Sequence, residues 1–194
     1  ALAQVANFHT DSRIPLKGFL RGLNSLLPDD IVIRRAQEAP DDFHARYSAQ
    51  SKVYVYVIHN HELPDPFRRR FSWNVRWRLD VEAMNEAARL LLGQKDFSAF
   101  RAAGSANARP VRRVMRAQWK RWGSDRLVFE IEADGFLRHM VRNIVGTLVE
   151  IGRGDHEAGY LIRVIDGKNR QNAGITAPAR GLFLKEVRYP YVTF

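Results

Sequence analysis

Apolar residues recur along this chain with two different periods, and the clearest change of period falls at Gly135. Upstream, Leu127, Phe129 and Ile131 alternate with Glu130 and Glu132, the spacing of a strand with one buried face, and Asp134-Gly135 supplies a turn. Downstream, Leu137, Val141, Ile144, Val145, Leu148 and Val149 lie three and four residues apart, which predicts a helix opening straight from that turn. Its second face carries His139, Arg142, Asn143, Gly146, Thr147 and Glu150. Arg142 is flanked by Met140, Val141, Ile144 and Val145, so its guanidinium is expected at the edge of a packed surface. An Arg in that position keeps its charge. It therefore has a fixed anion beside it, either a protein carboxylate in a structural ion pair or a substrate phosphate at a functional site.

The same reading extends along the chain. Residues 1 to 8 and Ile31-Val-Ile33 predict strands, and Leu16, Phe19, Leu20, Leu23 and Leu27 form a helical stripe with Pro15 in the first turn. Lys52 to Ile58 has strict strand character. Tyr54, Tyr56 and Ile58 share one face, Val53, Val55 and Val57 the other, and Tyr54 reads from periodicity alone as a core aromatic. Pro64-Asp-Pro66 breaks the chain and suggests a boundary between subdomains 1–63 and 64–194. Asp80 is the expected cap of a helix ending at Gly93, with Val81, Met84, Ala88, Leu91 and Leu92 inward. A short helix over Glu157 to Ile165, a loop to Pro178 and a strand over Leu182 to Tyr189 complete the pattern. Strands with polar faces and irregular connections indicate an α+β fold, mainly antiparallel sheet with helices packed on one side.

Charge narrows the picture further. Lys and Arg number 31 against 21 acids, a net charge of +10, which points to a polyanionic partner, nucleic acid first. The cations are mostly Arg and clustered. From Arg101 to Arg126 eight basic residues, Arg112 and Arg113 among them, face Asp125 alone, with Trp119 and Trp122 between them. Such a tract either follows a phosphate backbone and stacks bases, or is an exposed strand with solvated Arg and inward Trp. No apolar run approaches the roughly 18 residues that span a bilayer. There is no cysteine, which excludes disulfides, thiolate chemistry and Cys-based zinc sites and fits a reducing cytoplasm. His59 and His61, in a polar loop, read as solvated rather than metal-binding. No phosphate-binding glycine loop, serine-nucleophile motif or paired-carboxylate cluster is present.

Four segments together resemble the tRNA pseudouridine synthase A family. They are Gln4-Val-Ala-Asn-Phe8; Phe43-His-Ala-Arg-Tyr-Ser-Ala49 with Lys52-Val-Tyr-Val-Tyr56; His139-Met-Val-Arg-Asn-Ile-Val-Gly146; and Ala173-Gly-Ile-Thr-Ala-Pro-Ala-Arg-Gly-Leu-Phe-Leu184. The resemblance implies isomerisation of uridine to pseudouridine in the tRNA anticodon stem-loop, without metal or organic cofactor, by a cytoplasmic homodimer with a basic cleft. It makes Arg142 the active-site arginine that pairs with a catalytic Asp, Tyr54 the tyrosine that stacks on the base and takes part in proton transfer, and Leu182 the apolar residue closing the pocket. His44, Arg46 and Lys52 join Arg112 and Arg113 as substrate-binding residues.

One departure stands out. The family's catalytic Asp lies in an Arg-Thr-Asp-Ala-Gly-Val-His loop just before the segment matching Ala1-Leu-Ala-Gln-Val5, and so falls upstream of residue 1 together with the first strand and helix. Thr10-Asp11 does not replace it, because it follows that segment and continues as Ser12-Arg13. These 194 residues are accordingly expected to be a truncated or proteolysed product, or the ordered part, of a longer enzyme. The competing class is a binding module, an inactive fragment or RNA chaperone.

Overall fold

The computed structural model describes residues 1–102 and 109–190. In chain order the elements are α1 (Leu16–Leu26), β1 (Ser51–His59), β2 (Trp73–Asn74), α2 (Val81–Arg89), β3 (Gly93–Asp96), β4 (Val111–Arg121), β5 (Arg126–Ala133), α3 (Met140–Gly152), α4 (Tyr160–Gly167) and β6 (Leu182–Arg188). The chain divides into two units, residues 1–4 with 51–187, and residues 5–50 with 188–194. Pro64 to Pro66 lies inside the first.

In the first unit the strands form one sheet in the order β2-β1-β5-β4-β3, with β6 also on β1. The β1/β5, β5/β4 and β4/β3 pairs are antiparallel, and only the short β1/β2 pair is parallel. This is the expected α+β architecture. Register explains the core: Tyr56 lies opposite Phe129, which lies opposite Trp119, and Tyr54 and Ala117 flank Ile131. On that face Tyr56, Ile58, Leu127, Phe129 and Ile131 are fully buried with Met84 and Ala88 of α2, Ile144 and Leu148 of α3, and Leu161 of α4. Burying side chains of this size contributes about 1.5–3 kcal/mol each before ordering entropy is subtracted. Asp80 caps α2, its Oδ1 accepting from the backbone N–H groups of Glu82 (2.9 Å) and Ala83 (3.0 Å).

The other face carries an ionic ladder. Arg116 of β4 reaches Glu130 (2.8 Å) and Glu132 (3.4 Å) of β5, and Lys185 of β6 pairs with Glu130. Burial pushes the Glu130 carboxyl up, but Lys185, Arg116 and Lys120 together hold it below its ordinary value.

The second unit is held by a few polar contacts between distant segments and by ring packing. Asn7 donates to the Phe43 carbonyl (3.3 Å) and accepts from Ala45 N–H (2.9 Å), and Tyr189 Oη donates to the Ala45 carbonyl (2.7 Å). Phe43 packs on Tyr189 with ring centres 5.0 Å apart. Helix α1 forms where its stripe predicts, yet none of its residues is fully buried.

Several expected elements differ. Residues 1–8 are not a strand; Leu2 N–H makes a single bond to the Leu184 carbonyl (2.8 Å). Ile31–Ile33 is not a strand either. Asn24 supplies both partners of Ile33, its Oδ1 accepting the N–H and its Nδ2 donating to the carbonyl, so no neighbouring strand is needed. The helix predicted from Gly135 begins only at Met140, because His139 adopts a left-handed conformation (φ 63°) that cannot propagate a right-handed helix. His59 is buried rather than solvated, its Nδ1 3.4 Å from Asp125. The α2 helix stops at Arg89, and Gly93, at φ 90°, opens β3 instead of ending the helix.

Candidate functional site

The polar face of α3 is largely covered by a loop, with His139, Arg142 and Glu150 left partly exposed. Asn143, nearly fully buried, donates from Nδ2 to the Phe100 carbonyl (2.8 Å). Its Oδ1 accepts from Thr176 Oγ1 (2.7 Å) and from an Arg170 guanidinium nitrogen (3.1 Å). One turn on, Thr147 Oγ1 accepts from Gly174 N–H (2.9 Å), and at the next Glu150 Oε1 accepts from Ile175 N–H (3.1 Å). Gly146 lets the strand of loop lie directly on the helix: a Cβ there would stand 1.7 Å from the Ile175 carbonyl oxygen. Residues 173–178 are therefore strapped along α3 at i, i+4 and i+7, which is one helix face.

The strap ends on Arg142. Ala177 N–H donates to the Arg142 carbonyl (3.1 Å), and Arg142 Nε donates to the Ala177 carbonyl (2.6 Å). Among the described residues no carboxylate forms an ion pair with Arg142, so the structural ion pair weighed from the sequence is not what holds it. The next residue, Pro178, accepts from Tyr56 Oη (2.7 Å). Gly181 then packs on the Tyr56 ring, where a Cβ would stand 2.7 Å from ring carbons, and Leu182 opens β6 half-buried against the core.

Tyr54 lies two residues before Tyr56 on the same face of β1, half-buried, its ring edge-on to Phe136 at 5.1 Å. Burial raises its phenol above the ordinary value. Tyr56 is raised strongly by burial, with Arg142 and Arg180 pulling in the opposite direction. His139, at the entry to α3, is lowered by desolvation and by the charges of Arg142, Arg138 and Arg170. A fixed guanidinium, a protonated phenol and an apolar residue thus converge around one loop. That set can hold an anion and an uncharged planar ring, and among the described residues no cluster of three His, Asp or Glu could hold a metal ion.

The remaining predicted residues separate into groups. Lys52 lies opposite Ala133 at the end of β5, and Arg112 lies against Gly135 just beyond it. Arg113 pairs through its backbone with Asp134. These three therefore flank the segment that carries Phe136 to the Tyr54 ring. His44 and Arg46 belong to the second unit, in an exposed turn where His44 Nδ1 accepts from Arg46 N–H (3.1 Å). The basic tract is divided: Trp119 is core, stacked on Phe129 at 4.9 Å, whereas Trp122 is exposed with Arg126 over its ring at 4.8 Å. Its segment 103–108 lies outside the described residues.

Sequence reasoning missed Asn143, Thr147, Glu150, Arg170, Thr176 and the anchoring role of Tyr56. Two signals were available. Gly146 in the middle of a strongly apolar helix, and Gly174 within the mostly small-residue run Ala173 to Ala179, mark a close backbone approach.

Comparison with known proteins accords with this geometry. The sequence profile of a family described as tRNA pseudouridine synthase matches residues 87–190. That span contains α3, the strap and all of β6, and the chain belongs to this family. Among its relatives, the protein named tRNA pseudouridine synthase A of Acetivibrio thermocellus is 48% identical over 190 residues, covering 97% of this chain and 77% of that protein. The proteins of the same name from Moorella thermoacetica and Thermoanaerobacter sp. are 47% and 44% identical, over 97% of this chain and 76% and 77% of theirs.

Proposed function

We propose that the protein to which this chain belongs isomerises uridine to pseudouridine in tRNA, at uridines of the anticodon stem-loop. Family membership gives the reaction class, and the observation that carries it to these residues is Arg142, fixed by Ala177 near the buried Tyr56. The target base must leave its stack before its glycosidic bond can be reached, so the site needs clamps on the backbone and a shaped pocket for the flipped uracil. Tyr54 stacks on that uracil. Its phenol is protonated at neutral pH, and burial pushes its titration further up, so it serves as a hydrogen-bond donor and takes part in proton transfer.

Arg142 pairs with the Asp carboxylate that starts the chemistry, keeping it ionised and oriented through charge-assisted hydrogen bonds. In the reaction the bond between N1 and C1′ breaks, the uracil rotates, and C5 bonds to C1′; the proton lost at C5 is balanced by one gained at N1. Leu182 closes the pocket over the base.

Lys52, Arg112 and Arg113, with His44 and Arg46, bind the tRNA backbone, in keeping with the net charge of +10. On the same reading the protein is a homodimer that needs no metal or organic cofactor and acts in the cytoplasm; no helix among the described residues is long and apolar enough to cross a membrane.

The test is Arg142→Met in the complete natural protein, assayed for pseudouridine in anticodon-arm tRNA. Turnover is expected to disappear while tRNA affinity changes much less. Retained turnover overturns the assignment.

A further inference from the structure

From the strap on α3 we infer that Asn143, Arg170 and Thr176 are positioning residues for the isomerisation: they set the direction of the Arg142 guanidinium without touching the substrate. The inference rests on Arg142 acting as proposed above and adds how it is aimed.

Arg142 has a long, flexible side chain, and a catalytic guanidinium is useful only if its fork is fixed before the substrate arrives. Its Nε is committed to the Ala177 carbonyl. Ala177 belongs to a loop without regular secondary structure, so that carbonyl is only as well placed as the loop. The loop is placed by Asn143. Its single side-chain oxygen takes both Thr176 Oγ1 (2.7 Å) and Arg170 (3.1 Å), while its amide nitrogen is spent on Phe100 and fixes the flip of the group. Arg170 closes the triangle, donating to Thr176 Oγ1 (3.0 Å) and to the Ala173 carbonyl (3.0 Å).

Thr176 is the residue immediately before Ala177, so an error in its placement passes straight to the carbonyl that holds Arg142. The same loop delivers the Pro178 carbonyl to Tyr56 and the backbone into Leu182. One buried amide therefore sets three parts of the site together. The arrangement has little slack: at Gly146 the Ile175 carbonyl lies so close to α3 that no side chain could enter.

The decisive substitution is Thr176→Val, which keeps the branched shape and removes only the hydroxyl that Asn143 accepts and Arg170 donates to. In the complete natural protein, kcat for pseudouridine formation should fall about tenfold or more, since misplacements near 1 Å reach about a hundredfold. KM for tRNA should stay within about twofold, because no phosphate contact is altered. Thr176→Ser, which restores the hydroxyl, should recover most of kcat. Asn143→Ala is expected to give the same split if it folds, and circular dichroism melting identifies it if it does not.

Unchanged kcat in Thr176→Val overturns the inference, as does a loss carried equally by KM or a Thr176→Ser variant as slow as the valine one. Arg142→Met measured alongside separates the two readings. If it stays active, the role of Arg142 fails; if it is inactive while Thr176→Val is normal, only the positioning role fails.

Discussion

Ala177 and Arg142 hold each other twice, once through backbone N–H to carbonyl at 3.1 Å and once through Nε to carbonyl at 2.6 Å, across 35 residues of sequence. The reciprocal pair ties a helix position to a loop position. Neither half of it depends on a carboxylate, so the guanidinium keeps donors for a partner.

Gly146→Ala should break this arrangement from beneath. The added Cβ would overlap the Ile175 carbonyl oxygen, at 1.7 Å, and that oxygen is backbone that cannot rotate away. Overpacking of this sort costs about 1–3 kcal/mol, occasionally more. Thermal melting should show a clearly lowered Tm, and hydrogen exchange should show faster exchange at Gly174, Ile175 and Ala177 N–H. Unchanged protection of those amides would mean the loop is not held by contact with α3.

Removing Arg112 and Arg113 together should weaken tRNA binding and flatten its salt dependence. Both residues lie at the start of β4 outside the core: the Arg112 side chain donates to the Arg109 and Val111 carbonyls, and Arg113 is exposed. If each neutralises a phosphate, Arg112→Ala with Arg113→Ala should lower the slope of log K against log salt by about 1–2. Binding isotherms at several salt concentrations decide this. An unchanged slope returns the tract to an exposed strand with solvated Arg.

The imidazole of His139 should titrate below its ordinary 6.5 in an NMR pH series. Desolvation is the largest cause, and Arg142 the first of the charges, so Arg142→Met should move the value back up. The sign for stability follows. A histidine whose folded value is depressed binds fewer protons folded than unfolded, so its contribution is complete above the unfolded value and is lost as pH falls through the folded one. An upward move on Arg142→Met supports the proximity; no change separates the two groups.

Much of this molecule was legible in its sequence, in the places where local pattern and final environment agree. Tyr56, Ile58, Leu127, Phe129 and Ile131 alternate because they bury one face of a sheet, and Asp80 caps α2 as its position before an apolar stripe predicts. Legibility failed where a polar group finds a partner far away in sequence. Asn143 and Glu150 look like solvent-facing helix residues, and nothing local says that a loop near residue 175 will satisfy them. His139 illustrates a different failure. Periodicity runs smoothly through it, but one residue with positive φ moves the helix start five positions beyond Gly135. Residues 1–8 and 31–33 have strand composition without a strand beside them, and a strand is a relation between segments. For the site itself, Arg142, Tyr54 and Leu182 were named through resemblance rather than pattern, since each alone reads as an ordinary edge or core residue.

The ladder on the outer face of the sheet has a consequence for behaviour in acid. Glu130 is the shared counter-charge of Arg116 and Lys185, with Lys120 also near, and these neighbours hold its carboxyl below 4.5. Its ionised form is therefore favoured over that of a free glutamate. Protonation removes the acid that Lys185 of β6 and Arg116 of β4 share and leaves Arg116 only Glu132, so this face of the sheet gains net positive charge. The stabilisation it supplies is complete above 4.5 and fades as pH falls through the lower folded value. Acid thus makes the same surface both less cohesive and more attractive to polyanions, so nonspecific RNA adsorption should grow as the sheet loosens.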